Sequence, residues 1–226
     1  LLEQPIQPLG SRNTPHPARK RDKVAVAARH LFLERGFMET SMDAIARRAA
    51  VSKATLYAYF PTKEALFASL IKAECEAVDD GFVMPDLAMG LREALRAFAM
   101  RYVAIYMDGN AAAFFRVIAA ENGRFPDLCA LFVKSGPRKA VTRCGELLTT
   151  ARENGLLEFE DAEMAAMQFL TLVRGDLPIY SALGVRLRFS DSVETVLDAG
   201  IEIFLRAYGK ASPQSRDQEI AAGMES

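Results

Sequence analysis

The stretch Thr40-Ser41-Met42-Asp43-Ala44-Ile45-Ala46-Arg47-Arg48-Ala49-Ala50-Val51-Ser52-Lys53-Ala54-Thr55-Leu56-Tyr57-Ala58-Tyr59-Phe60 carries the fold of this chain. Thr40 and Ser41 are candidate N-caps for a short helix over 41–49, with Asp43 three residues after Thr40 in capping-box position. Ala50–Val51 make a turn, and Ser52 caps a second helix over 53–59. Pro61 forces Phe60 out of helical geometry, and Thr62 caps the next helix, where Leu66, Phe67, Leu70 and Ile71 share one face. Two short helices with small residues, Ala46 and Ala50, at their close approach read as a helix-turn-helix.

The same periodicity continues on both sides. Val24, Ala27, Ala28, Leu31 and Phe32 recur at helical spacing, predicting a helix over 18–35 that stops at Gly36. Residues 1–17 hold Pro5, Pro8, Pro15, Pro17 and Gly10 without periodicity, the composition of a mobile arm. After a break at Gly81–Pro85 come a helix over 87–107, with Leu87, Leu91, Leu95, Phe98, Tyr102 and Ile105 on one stripe, and another over 111–122. A helical region opened by Phe125-Pro126 kinks at Gly136-Pro137 and ends at Asn154-Gly155. Two long helices follow, 161–183 bent at Pro178 and 191–208, and then a polar tail over 210–226. No segment alternates with a period of two, so the fold class is all-α. The expected domains are 18–80 and 81–209, joined by the helix that runs to residue 80.

Half of the 226 residues are apolar, and 28 Lys+Arg against 29 Asp+Glu give a net charge of −1. That average argues against nucleic acid until it is divided. Residues 1–70 carry eleven cations and six acids, a net of +5, which leaves −6 for the rest. The longest nearly apolar run, Ala111–Ala120, is interrupted by Arg116 and too short to cross a bilayer, so no membrane partner is expected. Leu1–Pro17 lacks the basic and then apolar pattern of a secretion signal, which predicts a cytoplasmic protein. Cys75, Cys129 and Cys144 read as reduced core thiols. His16 and His30 lie far from any cysteine pair, and no Cys–His or Ser–His grouping or glycine-rich phosphate loop is present. Neither a metal site, a cofactor nor an enzyme is expected.

The 53–59 helix has the chemistry to enter a DNA groove. Lys53 offers a phosphate or guanine contact, Thr55 a hydroxyl and a methyl, and Tyr57 and Tyr59 phenolic hydroxyls on rigid arms. Free N–H groups at helix starts favour an anion near Ser41, Ser52 and Lys63. On spacing alone, 53–59 reads equally as a short solvated surface helix. Arg19, Lys20, Arg21 and Lys23 form either a minor-groove arm or a solvated charge run.

The run from Thr40 to Phe60, continued by Lys63-Glu64-Ala65-Leu66, resembles the DNA-binding domain of TetR-family transcriptional regulators over about residues 20–80. The resemblance implies that Ile45, Ala46, Leu56 and Phe60 pack a three-helix core. It further implies that Ser41, Ser52, Lys53, Thr55, Tyr57, Tyr59 and Lys63 face double-stranded operator DNA. Ala50, Ala54 and Tyr59 depart from the Gly, Gly and His often found at these positions in the family. If the turn needs a positive φ, Ala50 costs about 1 kcal/mol.

Arg124-Phe125-Pro126-Asp127-Leu128, Gly136-Pro137, Val173-Arg174-Gly175-Asp176 and Phe204 to Gly209 resemble the C-terminal domain of the AefR-like TetR subgroup. This implies a helical bundle that binds an effector and forms a homodimer, chiefly through helices 161–183 and 191–208. Candidate pocket residues are Phe98, Tyr102, Tyr106, Phe114, Phe115, Ile118, Phe169 and Leu172, with Met164 and Met167 as neighbours. Arg174 and Asp176, charged within an apolar segment, read as a local ion pair or as a polar contact to effector or partner subunit. The expected function is a homodimeric repressor released from a pseudo-palindromic operator by a small molecule. A helical DNA-binding dimer without an effector is the alternative, and an enclosed apolar cavity would separate the two.

Overall fold

The computed structural model describes residues 16–185 and 191–210, with side chains from Arg19 and, after the gap, from Val193. Residues 1–15 and 211–226, read above as arm and tail, lie outside the described residues. The described residues form eleven α-helices and one 3₁₀ turn, and the chain divides into two compact units between Ile71 and Lys72.

The first unit holds α1 (His16–Glu39), α2 (Met42–Arg48), α3 (Lys53–Tyr59) and the start of α4 (Lys63–Asp80). Val24, Ala27, Ala28, Leu31 and Phe32 are buried as the periodicity predicts, together with Ile45, Ala46, Leu56, Phe60, Leu66, Phe67, Leu70 and Ile71. Rings of Phe32, Phe37 and Phe67 pack with centroids 5.0 to 5.5 Å apart. Gly36, at φ 83°, breaks α1 as expected, but the chain then makes a further turn to Glu39. Thr40 differs from its expected role as a cap. Its side chain is buried and donates to the carbonyls of Leu31 and Gly36 at 3.2 and 2.7 Å, closing the kink. Ser41 is the cap, accepting from Ala44 N.

The division falls inside α4, which continues across it as the linking helix. The second unit holds the rest of α4, α5 (Leu91–Met107), α6 (Gly109–Ala120), α7 (Pro126–Ser135), α8 (Pro137–Glu153), α9 (Ala162–Arg174), α10 (Leu177–Leu183) and α11 (Asp191–Tyr208). Its core joins α5, α8, α9 and α11 through Leu95, Phe98, Val103, Leu148, Phe169, Val173, Leu197 and Phe204. Leu87 belongs to the 3₁₀ turn and not to α5, because Gly90 at φ 103° separates them. The single helix expected over 161–183 is two helices. The break lies at Gly175, φ 48°, and Pro178 sits in the first turn of α10, where its missing N–H costs no hydrogen bond. Among the described residues no single helix is long and apolar enough to cross a membrane.

Candidate functional site

The first unit presents α3 on a turn held by unusual backbone geometry. Ala50 adopts φ 52°, a conformation few non-glycine residues take, and its N–H donates to Arg47 O while Val51 N donates to Ala46 O. Ser52 caps α3, accepting from Thr55 N at 3.1 Å, and its hydroxyl meets that of Thr55 at 2.8 Å. Leu56 points inward, which turns Lys53, Ala54, Tyr57 and Ala58 outward. Tyr57 is 46% exposed, an unusual amount for an unpaired aromatic side chain on a short helix.

The cations of this surface are unequal. Lys53 is exposed, with its ammonium 2.6 Å from the carboxylate of Asp43 on α2. Lys63 donates to the carbonyls of Phe37, Met38 and Thr40 at 2.7, 3.2 and 3.0 Å and lies 4.4 Å from the Phe37 ring centre. Its three donors therefore bind the end of α1 to the start of α4. Arg19, Lys20, Arg21 and Lys23 are helical, within α1, and Arg21 packs over Phe60 and donates to Ser69. Ser41 and Ser52 are exposed, and Thr55 and Tyr59 are half-buried.

In the second unit a cavity of about 270 Å³ opens among α4, α5, α6, α7, α8 and α10. Phe98, Tyr102, Tyr106, Phe114 and Phe115 line it, as the sequence suggested. Ile118 and Phe169 are buried away from it, Leu172 packs against the core, and Met164 and Met167 are exposed on α9. Sequence reasoning missed Cys75, Val78, Asp79 and Phe82, supplied by α4 and the chain that follows it, and Phe132, Lys139 and Arg143 from α7 and α8. The spacing of Cys75, Val78, Asp79 and Phe82 marks one helical face, but nothing local shows what that face meets.

The polar groups of the lining are few and mostly partnered. Asp79 accepts from Arg143 Nε and lies 3.5 Å from Lys139 Nζ, and the hydrogen bond from Arg143 holds its carboxyl below the usual range despite burial. The hydroxyls of Tyr102 and Tyr106 lie 3.0 Å apart, and Arg174 interacts electrostatically with both. Arg174 is thus partnered by tyrosines, and no Arg174–Asp176 ion pair is found among the described residues. Burial pushes the Cys75 thiol up to about 11, so it stays neutral and unreactive. No cluster of His, Cys, Asp or Glu among the described residues could hold a metal ion.

Residues 25–70 match the bacterial regulatory proteins of the tetR family, and residues 93–210 match the AefR-like transcriptional repressor C-terminal domain. The chain belongs to the TetR family. Members of this family are DNA-binding transcriptional regulators and not enzymes. Among solved TetR-like structures, the flavonoid-responsive regulator FrrA is 50% identical, with a TM-score of 0.79, covering 86% of this chain and all of that one. A TetR-family regulator from Mesorhizobium loti MAFF303099 is 25% identical with a TM-score of 0.77, covering 87% of this chain and all of that one. The activator FasR of Mycolicibacterium smegmatis is 34% identical over 77 residues, which are 34% of this chain and 31% of FasR. UidR of Escherichia coli K12 is 43% identical over 56 residues, 25% of this chain and 29% of UidR. The chain thus matches about a third of the length of these curated relatives.

Proposed function

We propose that this TetR-family chain is a homodimeric cytoplasmic repressor that leaves a pseudo-palindromic operator when a flavonoid-type phenol enters the second unit. The observation that carries the reading is the apolar, aromatic-lined cavity in an AefR-like domain, in a chain 50% identical to a flavonoid-responsive regulator. An effector-independent regulator has no use for such a cavity. Cavities of this kind, with a few placed polar groups, are the usual form of a small-molecule site.

Two copies of α3 enter successive major grooves roughly 34 to 36 Å apart. Lys53, Thr55, Tyr57 and Tyr59 reach the operator, with Ser41 and Ser52 at the phosphates. Lys63 acts first as the clamp between α1 and α4, so a phosphate contact from it requires surrendering one of its three carbonyls. Self-association uses exposed apolar residues on α9, α10 and α11: Met164, Met167, Ile179, Leu183, Val196 and Ile203. Because α4 runs from the clamp to the cavity wall, occupancy biases the heads through that helix, by about 1 to 3 kcal/mol as in ordinary allosteric coupling.

Genome-wide footprinting supplies the operator, and gel-shift titration then measures affinity with and without a hydroxylated flavone. The expected result is a 5- to 150-fold loss of operator affinity at saturating flavone, the equivalent of that coupling. Flavone binding with unchanged operator affinity overturns induction. Lys53→Ala and Tyr57→Phe should each weaken operator binding without changing the melting temperature, and retained affinity in both removes the assigned contacts.

A further inference from the structure

Five phenyl rings, from Phe82, Phe98, Phe114, Phe115 and Phe132, line the cavity, and besides Glu74, Ser135 and Ser181 its polar side chains group at two stations on different helices. At the first, Asp79 on α4 faces Lys139 and Arg143 on α8. An ionised carboxylate only accepts, and it offers about four lone-pair sites. Arg143 occupies one, Lys139 sits at the outer limit of a hydrogen bond to another, and the rest remain for a donor from outside. At the second station Tyr102 and Tyr106 carry two hydroxyl hydrogens between them. One is spent in their mutual hydrogen bond, and Arg174 beside them, which can only donate, cannot accept the other. One hydroxyl hydrogen is left, and it needs an acceptor.

We infer that the cavity selects an uncharged planar aromatic by reading both polarities: Asp79 accepts from a phenolic hydroxyl, and the Tyr102–Tyr106 pair donates to a carbonyl or ring oxygen. This rests on the reading of the cavity as the effector site. The charges of the lining itself cancel, Asp79 and Glu74 against Lys139 and Arg143, and the Asp79 carboxylate that accepts from the ligand repels a carboxylate in its place. Flat rings match the phenyl walls, and a fatty acid, whose carboxylate only accepts, offers Asp79 no donor. Asp79 also places ligand recognition on α4, the one helix shared with the first unit, so the hydroxyl that gives specificity also competes with Arg143 for the end of that helix.

Calorimetry on the full chain tests this with four probes: 4′,5,7-trihydroxyflavone, its mono-O-methyl ethers, unsubstituted flavone and palmitate. A hydrogen bond to a charged group is worth about 1.5 to 3 kcal/mol, so methylating the hydroxyl that Asp79 reads should weaken wild-type binding about tenfold or more. In Asp79→Ala the same methylation should change affinity less than about twofold, whereas Arg143→Gln, which keeps the carboxylate, should retain the penalty. Tyr106→Phe should weaken hydroxylated and methylated flavones alike, because their shared ring carbonyl loses its donor. An equal methylation penalty in wild type and Asp79→Ala overturns the assignment of Asp79 while leaving the effector site standing. Palmitate binding more tightly than every flavone overturns the ligand class. No probe binding to the wild type, with the operator complex intact, overturns both the inference and the effector reading beneath it. Thermal melting of each variant verifies that it folds, and Asp79→Leu, which also removes the acceptor, replaces Asp79→Ala should the latter not fold.

Discussion

At Ala50 the backbone carries a cost that the side chain does not repay. A left-handed conformation costs a non-glycine residue roughly 1 to 2 kcal/mol, and glycine in its place gives back part of that through greater freedom in the unfolded chain. Ala50→Gly is therefore expected to stabilise the first unit by about 0.5 to 1 kcal/mol in chemical denaturation. A loss of stability would mean that the methyl group packs where exposure says it does not. The pair Asp43–Lys53 acts on binding more than on folding, because both partners are largely exposed and such pairs are worth at most about 1 kcal/mol. A Lys53 that moves from Asp43 to a phosphate displaces a cation condensed on the DNA. Lys53→Ala should flatten the logarithmic salt dependence of operator binding by about 0.9 while stability changes by less than about 1 kcal/mol. An unchanged slope would show that Lys53 makes no phosphate contact. The caps Ser41 and Ser52 were legible in the sequence because caps are local, whereas the strain at Ala50 was foreseen only through the glycine that the family resemblance places there. The engagement of Lys63 with Phe37, Met38 and Thr40, and of Arg174 with two tyrosines, was not, because each depends on helices distant along the chain.

Among the elements, periodicity revealed the helices and the buried face of each, and it misread their ends where glycine overrode it. Gly175 splits 161–183 at a positive φ that no apolar pattern announces, and Gly90 detaches Leu87 from α5. The cavity was half legible for a related reason: α5 and α6 show an aromatic excess, but the contribution of α4 and α8 follows only from which helices meet. Gly200 states the packing most sharply. A Cβ built there lies 2.7 Å from the carbonyl carbon and oxygen of Leu172, so α11 approaches α9 at backbone distance. In a solvent-exposed helix Gly→Ala gains up to about 1 kcal/mol. Here Gly200→Ala should destabilise the second unit by about 1 to 3 kcal/mol through overpacking, seen as a lower denaturation midpoint. A neutral or stabilising result would show that the α9–α11 contact yields without cost.

At the scale of the whole molecule, a net charge of −1 hides the fact that matters most for function. Eleven cations and six acids in residues 1–70 give the first 70 residues a charge of +5 against −6 elsewhere, so phosphates attract one part of the chain and repel the other. A single head of that charge binds DNA weakly and with little sequence preference, and joining two heads raises affinity without any new contact. In the proposed dimer the apolar residues left exposed on α9, α10 and α11 join them. Met164 and Met167 lie one turn apart on α9, Val196 and Ile203 lie two turns apart on α11, and these two helices pack against each other. Ile203 is 53% and Leu183 72% exposed in the single chain, so changing them should cost the monomer little. The double variant Leu183→Glu/Ile203→Glu is expected to sediment as a monomer, to keep its helical circular dichroism, and to bind the operator about 10²-fold or more weakly, the scale of lost avidity. A dimer that survives both charges would move the interface to another face. A monomer that keeps full operator affinity would show that one head suffices, and the pseudo-palindromic site would go with it.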